Sequence, residues 1–337
     1  MVFHVLTLGM NQSRPVYFLA LFLIPLVTGE ERVPEPPRPS IPVVMQLDWI
    51  FNAQFAGLLQ AKAQGFYEEA GLEVEIRPTN HEQLTVDRVL AGSGTLTLGS
   101  AESNVLLGAH AGGAPIKALA TMFQGSPMGW MFLESSSIET FADLAGKRIG
   151  IHPDGEKVLR LAARNEAVSV EDFFLPEVGY KLDPLLSGEI DVMQAYVIDE
   201  FVQLKLKTDG AADILMAHDY GYSAYSQVFF TSEEALERWP QEIAAFLAAS
   251  KRGWEYAFDH PEETVDLILQ EYNPTLDRAY QLASLEAIED LVSPDGLPVM
   301  SPMDPEVWAR SQELFVEFGL LDAPTDLEKL LDFRFNP

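Results

Sequence analysis

Leu72-Glu73-Val74-Glu75-Ile76 alternates apolar and acidic side chains, directly after Gly71 closes a helical stretch over residues 55–70. A period of two is the geometry of a half-buried strand, and glycine is a common helix stop. A β-rich run at 42–47 precedes that helix, so the order is strand, loop, helix, strand. This order commits the chain to an α/β architecture, because parallel neighbours need a crossover long enough to hold a helix. The grammar repeats. Residues 84–91 read as a helix and 95–98 as a strand. Ser100 is the expected N-cap of a helix reaching 110, and 116–122 form a third strand.

The pattern changes near Gly125-Ser-Pro-Met-Gly129. Strands are expected at 130–133, 190–194 and 227–231, with helices after the turn at 152–156 and at 182–186 and 199–206. Thr231-Ser-Glu-Glu234 has capping-box spacing, and Ile243, Phe246, Leu247, Trp254 and Phe258 then fall close to one helical face. Two lobes are expected: residues 41–128 with 229–337, and an inserted lobe of 129–228. The chain would cross between them twice. Ligands in such α/β folds lie outside the carboxyl ends of strands, here between the lobes.

Residues 15–29 are apolar and uncharged, with Arg14 just before them. The run is too short, and too broken by Pro25, for a membrane-spanning helix of about 20 residues. It fits a secretory signal over 1–29, with Val27 and Gly29 small enough for a cleavage site before Glu30. A frayed helix of a cytoplasmic protein is the other reading. Residues 31–40 hold four prolines in ten and read as a tether. The folded body is then expected from Ile41, outside the cytoplasm.

Lys plus Arg is 22 and Asp plus Glu is 51 among 337 residues, a net charge of −29. Such a surface repels a phosphate backbone and an anionic membrane, so no nucleic-acid partner is expected. There are no cysteines, which excludes thiol catalysis, disulfides and Cys-type metal sites. The six histidines show no HExxH or close pairing. No GxSxG elbow, Walker A or strand-borne GxGxxG occurs. Carboxylate pairs are expected by chance in so acidic a chain. These absences favour a binding protein with no cofactor and no metal over an enzyme.

Three stretches bring aromatic and polar residues to expected strand ends. The first carries Asp48, Trp49, Asn52, Gln54 and Phe55. The second carries Ser100, Glu102 and Ser103 at a helix N-terminus. The third runs from Asp191 through Tyr196 to Glu200. With Tyr222, Tyr225 and Ser226 they are candidates for one cleft. Aromatic faces hold a flat ring, while carboxylates, hydroxyls and amides read its edge. Trp49 is either such a face or a core residue under the first helix. Glu200 is either a solvated helix-start charge or an acceptor for ring N–H donors.

The sequence resembles the periplasmic solute-binding proteins of ABC importers, in the branch shared with thiamine-pyrimidine synthases and with nitrate, sulfonate and taurine binders. The matching stretches are Leu47-Asp48-Trp49, Ala61-Lys-Ala-Gln-Gly65-Phe66-Tyr67-Glu-Glu-Ala-Gly71-Leu72-Glu-Val74, Asp143-Leu144-Ala-Gly146-Lys147-Arg148-Ile149-Gly150 and Gly188-Glu-Ile-Asp191. The resemblance implies a two-lobed periplasmic binding protein type II fold, mixed sheets with flanking helices, and a monomer that partners a membrane permease. It implies a small heteroaromatic vitamin or precursor as ligand: first a thiamine pyrimidine precursor, alternatively riboflavin. A pyrimidine synthase-like enzyme and a nitrate or sulfonate binder are further alternatives. The eukaryotic synthases carry a sacrificial histidine where this chain has Phe55, and a cysteine-rich run where it has Gly221-Tyr-Ser-Ala-Tyr-Ser226. An enzyme would have to use His152. A lipobox is incomplete, because Glu30 stands where the lipidated cysteine would be.

Overall fold

A computed structural model describes residues 40–79, 82–92, 94–152, 155–319 and 321–335. The expected signal and most of the tether lie outside the described residues. Nine strands occur among them: β1 Ile41–Gln46, β2 Leu72–Arg77, β3 Leu96–Ala101, β4 Ile116–Phe123, β5 Met128–Leu133, β6 Ile149–Gly150, β7 Val192–Tyr196, β8 Ala212–Met216 and β9 Ser226–Ser232. They form two mixed sheets. The first runs β2-β1-β3-β9-β4 and the second β6-β7-β5-β8. β1 is parallel to β2 and β3, and β9 returns antiparallel between β3 and β4.

β2 buries Leu72, Val74 and Ile76 and exposes the residues between them, as its alternation requires. β3 is buried at all six positions. It therefore shows no alternation, and it runs past the expected N-cap: Ser100 lies inside the strand, and Glu102 is the N-cap of helix Ser103–Ala111. The expected helix 55–70 is broken into Ala56–Ala63 and Phe66–Glu69, because Gly65 takes a left-handed φ of 74°. At the later cap the acceptor is Ser232, which takes the Ala235 N–H, and not Thr231. β8 was not expected. It is a five-residue strand whose last three side chains are half-buried.

One core packs helices Ala56–Ala63, Pro240–Asp259 and Arg278–Val292 on the first sheet. The helix contact at Gly57 is very close: a Cβ there would lie 2.2 Å from the Trp254 ring. A second core joins the opposite face of that sheet to Trp130 and Phe132 of β5 and to Trp308 and Phe315 of helix Pro305–Glu317. A third, smaller core lies behind β5 and β7. The chain leaves the first sheet at Phe123 and returns at Ser226, and these two residues are register partners.

Candidate functional site

The two sheets face one another across a cavity of about 360 Å³ lined by strand ends and the loops after them. From the first sheet come Asp48, Trp49 and Gln54 after β1, Glu102 after β3, and Gln227 of β9. From the second come Gln194 and Tyr196 of β7, Asp199, Glu200 and Gln203 beyond it, and His152 and Tyr180. Four carboxylates thus line the cavity, and no lysine or arginine is among the described lining residues.

On the first wall, Asp48 is held from both sides. Ser100 Oγ donates to its Oδ1 at 2.8 Å, and Gln227 Nε2 donates to Oδ2 at 3.1 Å. Asp48 faces the cavity but is half-buried, with protein around it elsewhere. That burial raises its pKa above the usual carboxylate range, against the lowering effect of the two donors. Gln227 adopts a φ of 55°, the left-handed region, inside a strand. Such a conformation costs about 1–3 kcal/mol and persists only where surroundings enforce it. Its Oε1 has no hydrogen-bond partner among the described residues. Glu102 accepts a hydrogen bond from Ser226 Oγ.

On the second wall, β7 ends at Tyr196, and the chain turns through Asp199 into helix Glu200–Lys207. Glu200 Oε2 accepts the Tyr196 N–H at 2.9 Å. Burial, with the neighbouring Asp199 charge, pushes the Glu200 carboxyl up to about 7. Gln194 Oε1 accepts the His152 backbone N–H at 3.0 Å. Gly155 makes room for that amide, since a Cβ there would sit 1.6 Å from Gln194 Oε1. The Tyr180 ring lies 4.4 Å from the His152 ring and is 63% exposed, so it covers the histidine from the solvent side.

Of the residues singled out by sequence, Asp48, Trp49, Gln54, Glu102, Tyr196 and Glu200 line the cavity. Ser100 and Ser226 stand behind it and hold Asp48 and Glu102. Five require correction. Phe55 is fully buried in the first core, because the short turn Ala53–Phe55 aims it under the helices. Asn52 caps that turn by accepting the Gln54 N–H. Ser103 is buried, with its backbone N–H given to Tyr225 O. Tyr222 packs on Phe315 with ring centroids 6.0 Å apart. Tyr225 packs beside Trp308, and its hydroxyl accepts the Asp304 N–H at 2.7 Å. Both tyrosines are core residues because a helix more than 80 residues later docks on their loop. Tyr180 and Gln203 lie in none of the stretches read from sequence; Gln194 and Asp199 lie within the third, and Gln227 next to Ser226, without being singled out as lining residues.

A second cavity of about 360 Å³ shares Asp48 and Glu102 with the first and adds Thr79, Glu82, Gln83 and Thr85. No group of three or more metal-ligating side chains occurs among the described residues. No described helix is long and apolar enough to cross a membrane.

The chain is 27% identical to the riboflavin-binding protein RibY of Chloroflexus aurantiacus, over 88% of this chain and 86% of that one. It is 29% identical to a formylaminopyrimidine-binding protein of Halalkalibacterium halodurans, over 79% and 82%. It is 26% identical to a 4-amino-5-hydroxymethyl-2-methylpyrimidine phosphate synthase of Legionella pneumophila, over 68% and 73%. Its fold is similar to that of the periplasmic aliphatic sulphonate binding protein SsuA of Escherichia coli, with a TM-score of 0.65 at 16% identity over 87% and 91%. The architecture is that of a periplasmic binding protein, two mixed sheets with flanking helices. A family model described as NMT1/THI5 like matches residues 52–264, and the chain belongs to that family.

Proposed function

We propose that this protein is the exported substrate-binding component of an ABC importer. It works as a monomer and holds a flat nitrogen heterocycle between lobes 41–128 with 229–337 and 129–228. The ligand we favour is a thiamine pyrimidine precursor of the formylaminopyrimidine type. One observation carries the reading: a cavity between two sheets with Trp49, Tyr180 and Tyr196 on its walls, four carboxylates, and no lysine or arginine among its described lining. Aromatic faces suit a planar ring, and carboxylates suit its amino groups. The same lining opposes nitrate or a sulfonate, which would meet uncompensated negative charge. Ligand enters an open form and is retained by closure, so affinity reflects preference for the closed state.

Riboflavin is the second reading. The adjoining cavity favours it, since Thr79, Gln83 and Thr85 offer partners to the hydroxyls of a polyol chain beyond Asp48 and Glu102. An enzyme remains the weaker account. Its supports are His152 in the cavity and the likeness to a pyrimidine phosphate synthase, while the position of the synthases' sacrificial histidine is the buried Phe55.

Native mass spectrometry with isothermal titration calorimetry tests the choice. The expected result is one equivalent of formylaminopyrimidine bound, with riboflavin weaker and taurine and nitrate silent. Binding of an anion alone overturns the reading. Conversion of the bound pyrimidine, abolished by His152→Gln, overturns the assignment as a non-enzyme.

A further inference from the structure

Asp199 lines the cavity, but one of the two groups that orient it does not. Tyr280 lies on helix Arg278–Val292, and its hydroxyl donates to Asp199 Oδ1 at 2.7 Å. Gln203 Nε2 donates to the same oxygen, also at 2.7 Å. Two donors on one oxygen fix the plane of a carboxylate and leave the other oxygen as the acceptor for a ligand. The helix grips the same corner again through Ser284, whose hydroxyl donates to Ile198 O. One turn away it reaches the opposite wall, where Gln281 Oε1 accepts the Ala53 N–H at 2.8 Å, next to Gln54. A single rigid helix therefore touches the backing of both walls. Burial and the Asp199 charge together push the Tyr280 phenol above the ordinary tyrosine range, which agrees with a close phenol–carboxylate pair.

We infer that Tyr280 is a positioning residue, through which helix Arg278–Val292 sets the acceptor geometry of Asp199 and hence the cavity's preference for ligands that present N–H donors. The inference rests on the binding role proposed above.

The test is a double-mutant cycle with Tyr280→Phe and Asp199→Ala, read with formylaminopyrimidine by calorimetry. Tyr280→Phe keeps the ring and removes one charge-assisted hydrogen bond, so roughly tenfold weaker binding is expected. In the Asp199→Ala background the same change should cost less than about twofold, because its acceptor is already gone. Equal losses in the two backgrounds, or no loss in either, overturn the inference. A second measurement needs no ligand. Tyrosine 13Cζ NMR across alkaline pH identifies the Tyr280 phenol by its absence in Tyr280→Phe. Asp199→Ala should let it ionise at lower pH, and an unmoved titration overturns the link. If the wild-type protein binds no heterocycle, the proposed function fails, and the NMR result alone judges whether Tyr280 and Asp199 act as a pair.

Discussion

The two walls of the cavity use the same chemistry in opposite ways. On the first, Asp48 has a side-chain donor on each oxygen, and both donors come from neighbouring strands of its own sheet. On the second, Glu200 has a backbone donor and a like-charged neighbour, Asp199, one residue away. Both carboxyls are raised by burial. The first wall offsets that cost with donors fixed by strand pairing. The second leaves its acid poised near neutrality. A carboxylate held by a donor on each oxygen is a static acceptor, whereas a buried acid beside a like charge is a group whose charge the solution can change.

The largest expected effect breaks this comparison if it fails. The folded protein holds the Glu200 proton up to a pH of about 7, whereas the exposed carboxyl gives it up near 4.5. Between those values the native state binds more protons than the unfolded chain, so stability falls as pH rises. The contribution is complete below the lower value and gone above the upper one, about 3 kcal/mol in all. Urea unfolding across that interval should show the loss, and Glu200→Gln should remove it. A variant that keeps the full slope assigns the titration elsewhere.

Asp48→Asn sharpens the contrast from the other wall. Gln227 can turn its amide over and offer the unpartnered Oε1 to the new side-chain N–H, so the strand contacts survive. The buried charge is gone, and unfolding free energy should rise by about 1 kcal/mol. Ligand affinity should nevertheless fall roughly thirtyfold by calorimetry, the value of a charge-assisted hydrogen bond. A stable variant with unchanged affinity would remove Asp48 from the site. The smallest effect is at the rim. Tyr180→Ala uncovers His152 and should weaken binding only about threefold, since a ring at the rim stays largely in solvent and buries little area against a ligand. Stopped-flow fluorescence should find that change in the dissociation rate.

Much of the fold was legible because its strands obey simple periodicity. β2 alternates visibly, and Gly71 ends the helix before it. β8 was not legible, because Ala212-Asp-Ile-Leu-Met216 neither alternates nor forms a long apolar run. The site was legible where chemistry sits at a strand end, as at Asp48, Glu102, Tyr196 and Glu200. It was illegible where long-range packing decides. Nothing local in Gly221-Tyr-Ser-Ala-Tyr announces that Trp308 and Phe315 will bury both tyrosines. Of the four glutamines of the cavity, Gln194, Gln203 and Gln227 carry no motif at all. Gln227 reaches Asp48 from a backbone angle that an ordinary strand residue avoids, so no propensity could have proposed it.

The pairing of Phe123 with Ser226 carries a mechanical consequence. Both passages of the chain between the sheets are fastened side by side, and Thr121 Oγ1 ties them again through bonds of 2.8 Å to Phe123 O and Ser226 O. Sliding one sheet past the other would tear that seam, while swinging about it would leave the seam whole. For the closure proposed above, a single opening coordinate is then expected, and one pair of fluorescent labels, set on opposite banks of the cavity, would read occupancy as one distance.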